Sequence, residues 1–414
     1  MGAADLVRRS DCRICGHTAL EEILHLGQSP LANAFLASPA EFAAERRFPL
    51  DLYFCDRCGL LQLLDVVNPE LLFRHYVYMT GISTTIAHHN REYASTLVEM
   101  LRLTPSDLVV EIASNDGSLL KCFQALGVRI LGVEPATNIA ARATADGVET
   151  VNEFFSNALA ESLAASRQPA RVIAANNVLA HVDDPADFLR GCRRLLADDG
   201  LITIEVPYVR ALLERVEYDT VYHEHLSYFS VTSMLRLAER ANLRAARIDR
   251  LPVHGGSLRV YLSRTPGPHD AGALEIEREE RAAGGAANLE RHRQLARDTE
   301  RHRRELRGLL EDLRAQGKKV AGYGAPAKGN TLLNYCDIDT SLMRYTADKN
   351  PLKVGLFTPG MHIPVREVSV IEQDRPDYLL VLAWNFADEV MEQQAAHRAR
   401  GGRFIIPIPG PKIA

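Results

Sequence analysis

The sequence predicts an α/β protein of three units: a small cysteine-paired N-terminal unit (1–75), a central doubly wound parallel sheet (76–265) and a smaller C-terminal α/β unit (318–414), the last reached through a helical connector (266–317). Three observations carry that prediction. Two Cys-x-x-Cys pairs lie before residue 60, short Val/Ile-rich runs alternate with amphipathic stretches from residue 101 onward, and a Glu/Arg-rich stretch at 273–317 precedes a second alternation. The 414 residues exceed the roughly 100–200 of one domain, and 46% hydrophobic with 24% charged residues is an ordinary globular composition. A net charge of −5 gives no global attraction to nucleic acid or anionic lipid, so any phosphate site must be local. No stretch approaches the roughly 18 apolar residues of a membrane span, and MGAADLVRRSDC (1–12) has no apolar run behind its arginines. We therefore expect a cytoplasmic protein with no nucleic-acid or membrane partner.

Cys12-Arg-Ile-Cys15-Gly and Cys55-Asp-Arg-Cys58-Gly read as paired knuckles, each a tight turn that converges two thiolates. Four thiolates make a closed tetrahedral zinc site with no open position for chemistry, so the metal is structural. The gap between the pairs exceeds the common ribbon spacing, which requires an inserted hairpin or loop. Cys122, Cys192 and Cys336 are solitary and are expected to be free and unreactive. The central strands are predicted at 107–113, 129–135, 149–155, 170–179 and 200–207, each bounded by Gly, Asp or Pro. Within the Glu/Arg/Ala/Leu-rich stretch 273–317, the segment NLERHRQLARDTERHRRELRGLLEDLRAQG (288–317) repeats apolar positions every three to four residues and predicts a long amphipathic helix acting as a connector, its alternating acids and bases forming a solvated face. The second alternation predicts strands at 318–324, 342–348, 377–384 and 403–408.

In doubly wound sheets, ligands bind beyond the carboxyl ends of the strands. VVEIASNDGS (109–118) delivers Glu111 on a buried strand and then a small polar loop, Ser114, Asn115, Asp116 and Gly117, into a helix. The loop lacks Gly-x-Gly-x-x-Gly, and the next strand ends in Glu134, placed to accept from two ribose hydroxyls. A nucleoside without phosphates fits these parts, S-adenosylmethionine among them, with Asn176 and Asn177 lining its remaining surface. GYGAPA (322–327), with Asp348 at the end of the next strand, satisfies a loose dinucleotide fingerprint and taken alone suggests NAD. Tyr323 lies inside that loop, and Lys328, Asn330, Lys349 and Lys353 follow it, which suits the charged diphosphate of a nucleotide sugar better. EYDTVYHEHLSYF (217–229) packs Tyr222, His223, Glu224, His225 and Tyr228 just after the fifth strand, a density of titratable groups that points to catalysis. A metal on His223 and His225 is the lesser option, since no third ligand lies nearby.

The two knuckles, EIASNDGSLL, NNVLAHVDD, YHEHLSYFS, HGGSLRVY (254–261) and GYGAPAKGNT run in order over essentially the whole chain. As a set they resemble the deoxysugar C-methyltransferase family, S-adenosylmethionine-dependent and zinc-containing, and within it the D-tetronitrose branch. The resemblance implies a zinc-binding N-terminal domain, a central S-adenosylmethionine-binding methyltransferase domain and a C-terminal Rossmann-like domain that helps bind thymidine diphosphate. It implies a dTDP-linked 4-keto deoxysugar as partner, methylated at C-3' of a dTDP-3-amino-4-keto-2,3,6-trideoxyhexose through a base-generated enolate and direct methyl transfer. His225 is the expected base and Glu224 orients the cluster. Tyr222, and Tyr76 in the HYVYMTG segment (75–81) that the family also carries, donate to the enolate or shape the pocket, and His181 is a second base candidate. Two other readings remain open at this point, an NAD(P)-dependent oxidoreductase acting on a nucleotide sugar and a non-catalytic nucleotide-sugar binding protein. The oligomeric state is also open, a monomer included.

Overall fold

The computed structural model describes residues 5–75, 81, 84–252, 255–284 and 288–414. The N-terminal unit contains Leu6–Arg8 (β1), Glu21–Pro30 (β2), Arg47–Cys55 (β3), Leu60–Leu63 (β4) and Asp65–Val67 (β5). β2 and β3 form the antiparallel hairpin that spans the gap between the Cys pairs, and β1 pairs with β5. Each knuckle closes through a glycine with positive φ, Gly16 at 70° and Gly59 at 74°, whose amides donate to the Cys12 and Cys55 carbonyls.

The central unit contains Leu108–Ile112 (β6), Arg129–Val133 (β7), Thr150–Val151 (β8), Ala170–Asn176 (β9) and Leu196–Pro207 (β10). Beyond β10, Ser227–Tyr228 (β11) leaves this unit and pairs antiparallel with β4, so the N-terminal sheet runs β11-β4-β3-β2. Arg244–Leu251 (β12) and Ser257–Ser263 (β13) complete a seven-stranded sheet in the order β12-β13-β10-β9-β6-β7-β8. All its neighbouring pairs are parallel except those of β13, which runs antiparallel to both β10 and β12. The five strands expected from the sequence are parallel, and β13 and β12 add an antiparallel edge. The stretch 252–256 between β12 and β13 is too short for the crossover of a dozen residues or more that a parallel return needs. The chain winds outward from β6 in both directions, and the reversal between β6 and β9 opens a crevice at the strands' carboxyl ends.

The C-terminal unit contains Val320–Tyr323 (β14), Thr346–Asp348 (β15), Val365–Glu367 (β16), Tyr378–Val381 (β17), Arg403–Ile406 (β18) and Lys412–Ile413 (β19). Their order, β16-β15-β14-β17-β18-β19, is parallel apart from the last strand. A shorter helix, Ala271–Ala282, precedes the expected long one, Leu289–Ala315. Gly284, at φ 69°, follows the end of the first, and the Asn288 side chain caps the second by accepting from the Glu290 and Arg291 amides. The charged side chains of the second helix form the expected solvated face, and its apolar side does more than connect. Its Leu295, Leu306, Leu310 and Leu313 are buried in one apolar core with Leu24 and Leu52 of the N-terminal sheet and Leu332 and Ile405 of the C-terminal unit. No helix among the described residues is long and apolar enough to cross a membrane.

Candidate active site

The four knuckle sulfurs lie within 4.8 Å of one another, with Cys12 Sγ 3.4 Å from Cys58 Sγ and Cys15 Sγ 3.5 Å from Cys55 Sγ. That donor set fits tetrahedral zinc with thiolate ligands and nothing left open. Cys122, Cys192 and Cys336 form no disulfide, and burial pushes the Cys336 thiol up to about 12.

At the end of β6 the backbone takes three left-handed steps in five residues, Ala113 (φ 56°), Asn115 (49°) and Gly117 (72°). Such strain is held only where surroundings over-determine it. Here Glu134 supplies the restraint, accepting the Asn115 amide on one carboxylate oxygen and the Ala136 amide on the other, both at 2.8 Å. Asp116 turns into the loop, accepting the Gly81 amide at 3.0 Å and the Ser118 hydroxyl at 2.5 Å. Gly117 packs so that a Cβ would stand 2.7 Å from Val148. These last two residues shape the loop from behind, whereas Glu111, Ser114, Asn115, Glu134, Asn176 and Asn177 line the cleft. Glu111 Oε2 and Asn176 Oδ1 have no hydrogen-bond partner among the described residues. Burial, with Asp116 and Glu134 nearby, holds the Glu111 carboxyl well above its ordinary value.

The YHEH run turns His225 into the same cleft. The His225 Nδ1 lies 2.9 Å from the Thr220 carbonyl, which accepts from it and so makes Nδ1 the protonated nitrogen. Nε2 is then left to accept from the Tyr222 hydroxyl at 2.8 Å. The His181 ring lies 4.9 Å from that of His225, and burial pulls its pKa down to about 4. His223 points the other way, its Nε2 near the Phe48 and Pro49 carbonyls at 3.3 and 3.2 Å. The four cysteines are the one metal-type cluster found among the described residues, so no His223–His225 metal site forms. Glu224 is buried and accepts from Asn33 Nδ2 at 2.6 Å, so it braces the cleft wall through Asn33 and does not itself line the cleft. Tyr76 lies outside the described residues.

Across the cleft stands the loop after β14. Lys328 Nζ donates to Asn385 Oδ1 at 3.2 Å and sits 4.4 Å from the centroid of the Trp384 ring. Burial lowers its pKa, opposed by Asp219 and Glu217 beside it. Lys353 Nζ donates to the Ala325 carbonyl at 2.8 Å, and Tyr323 donates to Gln393 at 3.2 Å. All three line the cleft. Asn330 does not: it is fully buried and donates to the Ala32 carbonyl at 2.7 Å, tying the C-terminal helix Ala327–Tyr335 to the N-terminal unit. The cleft thus runs through all three units with a volume of about 630 Å³.

A further cluster in the cleft went unread in the sequence. Glu205, at the carboxyl end of β10, accepts from Arg259 and faces His89 Nε2 at 2.9 Å. Burial pushes its carboxyl up, but His89 and Arg259 outweigh that and leave it below its ordinary value. Its position at a strand's carboxyl end was the available signal.

The chain is 39% identical over 412 residues to the C-methyltransferase NovU of Streptomyces niveus, an alignment covering 99% of this chain and 98% of that one. The chain belongs to the C-methyltransferase family. Three family models match this C-methyltransferase in order: a zinc binding domain over residues 12–73, a methyltransferase domain over 86–247 and a C-methyltransferase C-terminal domain over 252–409. It is an S-adenosylmethionine-dependent C-methyltransferase with a zinc-binding N-terminal domain, and neither the oxidoreductase nor the binding-protein reading is retained. Among solved structures it is similar to magnesium protoporphyrin IX methyltransferase of Synechocystis PCC 6803 with bound S-adenosylmethionine, at TM-score 0.33 and 12% identity over 44% of this chain and 81% of that one. It is also similar to the 1,6-didemethyltoxoflavin N1-methyltransferase of Burkholderia thailandensis, at TM-score 0.33 and 19% identity over 44% and 80%.

Proposed function

We propose that this C-methyltransferase methylates a carbon beside the ketone of a dTDP-linked 4-keto deoxysugar, at C-3' of a dTDP-3-amino-4-keto-2,3,6-trideoxyhexose. The observation that carries the reading is the one cleft in which the strained loop after β6, the His225–Tyr222 pair and two lysines, Lys353 buried and Lys328 half-buried, face one space. When bound, S-adenosylmethionine supplies an electrophilic methyl group on a sulfonium. Glu111, Ser114, Asn115 and Glu134, with Asn176 and Asn177, would hold it, the Glu134 carboxylate meeting ribose hydroxyls while Asp116 and Gly117 keep the loop in shape. Lys328 and Lys353, with Tyr323, would bind the nucleotide diphosphate, a fit of point charges to phosphate; Asn330 supports them from behind.

Methylating carbon requires a carbanion, and a proton next to a ketone is the accessible one to remove. His225 is the base. Its Nε2 carries the lone pair because Thr220 fixes the proton on Nδ1. The Tyr222 hydroxyl, which donates to Nε2 in the free protein, turns to the ketone oxygen once substrate is seated and stabilises the enolate there. Tyr76 is proposed as a second donor. His181, neutral down to about pH 4, shapes the apolar side of the pair and is the weaker base. Glu224 orients the cleft wall through Asn33.

Labelled S-adenosylmethionine offered with a panel of dTDP 4-keto sugars, with and without the 3-amino group, tests the reading. The expected product carries the label on carbon and forms fastest from the 3-amino compound. Carbon-bound label on none of the panel would reject it.

A further inference from the structure

Arg13 lies between the first two zinc ligands, and nothing in the chemistry above uses it. Its side chain is fully buried. A guanidinium cannot shed its proton, so burial requires acceptors, and removing it from water is costly unless they are well placed. The acceptors here are two backbone carbonyls and two side chains. Nη1 donates to the Leu63 carbonyl at 2.6 Å, the Leu226 carbonyl at 2.9 Å and the Gln62 side-chain oxygen at 3.3 Å. Asp183, half exposed on the cleft, stands 3.4 Å from Nε, and Nη2 has no partner among the described residues.

Leu226 is the residue after His225. Its carbonyl also accepts the Leu63 amide at 3.0 Å, and its own amide donates to the Ala180 carbonyl at 2.7 Å, one residue before His181. Ser227 then pairs with Gln62 as β11 joins β4. A continuous chain of short contacts therefore runs from the first knuckle through Arg13 to Leu226 and on to Ala180, passing beside both imidazoles. The knuckle end of that chain is fixed when thiolates on either side of Arg13 hold a metal.

We infer that Arg13 is a positioning residue, through which the zinc knuckle holds the Leu226 carbonyl and thereby sets His225 against the reacting carbon. The inference rests on the reading of His225 as base. It gives the zinc domain a part in turnover beyond stapling its own fold. The planar fork matters, since several acceptors on two segments are gripped at once, which a lysine ammonium matches only in part.

The test uses the whole chain in three variants, Arg13→Lys, Arg13→Met and His225→Asn. Bound zinc is measured by metal analysis, S-adenosylhomocysteine binding by calorimetry, kcat and KM with the dTDP-3-amino-4-keto sugar, and hydrogen exchange over residues 220–229. For Arg13→Met we expect one zinc retained, S-adenosylhomocysteine affinity unchanged, faster exchange over 220–229, and kcat down by roughly 10- to 100-fold, the scale of a small misplacement of a catalytic group. Arg13→Lys should recover part of kcat. Wild-type kcat in both variants overturns the inference. So does a fall in kcat matched by loss of zinc or of S-adenosylhomocysteine binding, and so does failure of both variants to fold, since each assigns Arg13 to folding. Normal turnover by His225→Asn would instead bring down the base assignment, while the exchange measurement still reports whether Arg13 holds the loop.

Discussion

The difference between His225 and His181 lies in what each imidazole touches. His181 meets the rings of Phe73 and His225, and burial favours its neutral form so strongly that it binds a proton weakly. His225 has a carbonyl on one nitrogen and a phenol on the other, an arrangement that fixes its tautomer and leaves a directed lone pair. His225→Asn should lower kcat by roughly 10²- to 10⁴-fold, the usual worth of a general base, with S-adenosylhomocysteine affinity unchanged in calorimetry. A near-normal kcat would remove His225 from that role. Glu217 makes a second prediction at this scale. Burial raises its carboxyl pKa from 4.5 to about 8, with Lys328 opposing and Asp219 adding. Between those two values the folded protein holds a proton that the unfolded chain has released, so this contribution to stability is whole below about pH 4.5 and is lost as pH rises through 8. Glu217→Gln cannot lose it. The melting-temperature difference, variant minus wild type, should be near zero at pH 4.5 and grow to the equivalent of a few kcal/mol by pH 8.5. A flat difference across that range would show that Glu217 ionises without penalty.

Among the elements, the first glycine-closed knuckle and the Gly255 position before β13 test how much a backbone conformation is worth by itself. Gly255 sits at φ 95°, and a Cβ there would stand 2.7 Å from Glu217 Oε1 and 3.0 Å from the Trp384 ring. Gly16 shares the positive φ, at 70°, but has nothing within 4 Å. Gly16→Ala should therefore carry only the conformational cost, about 1 kcal/mol, while Gly255→Ala adds a clash at the joint between the central and C-terminal units and should cost roughly 2–4 kcal/mol in chemical denaturation. Equal losses would mean that Glu217 and Trp384 move aside freely. The same elements mark what the sequence made legible. Strands buried on both faces, such as β6, read directly as short apolar runs bounded by turn residues. β12 and β13 did not, because Arg and Asp alternate with Ala and Ile in one and a hairpin edge leaves no crossover helix to announce it. The site divides likewise. Loops at strand ends carry their residues consecutively, so the loop after β6 and the YHEH run, both of which reach the cleft, read from short segments. Glu205 meets His89 from 116 residues away and Arg259 from 54, and no local pattern joins them.

At the scale of the whole molecule, three units line one cleft. The core that Leu289–Ala315 forms with the N-terminal sheet and the C-terminal unit makes their relative placement a matter of packing, so a cleft between them has a defined width. If the donor loop holds one substrate and the lysines the other, damage on each wall should appear in one Michaelis constant and spare its partner's. Lys328→Ala removes a charge-assisted contact to phosphate worth roughly 1.5–3 kcal/mol, which raises the sugar's KM about 10- to 100-fold where the contact is equal in ground and transition states. It also strips Asp219 and Glu217 of the cation beside them, and both carboxyls, already raised to about 6 and 8, then hold their protons to still higher pH. Glu134→Ala frees the Asn115 and Ala136 amides from the carboxylate that restrains the strained loop, and should raise the donor's KM while leaving the sugar's within about twofold. Steady-state kinetics with both substrates varied in each variant decides the matter. A Lys328→Ala enzyme whose donor KM rises while the sugar's stays constant would move the nucleotide diphosphate off the C-terminal wall.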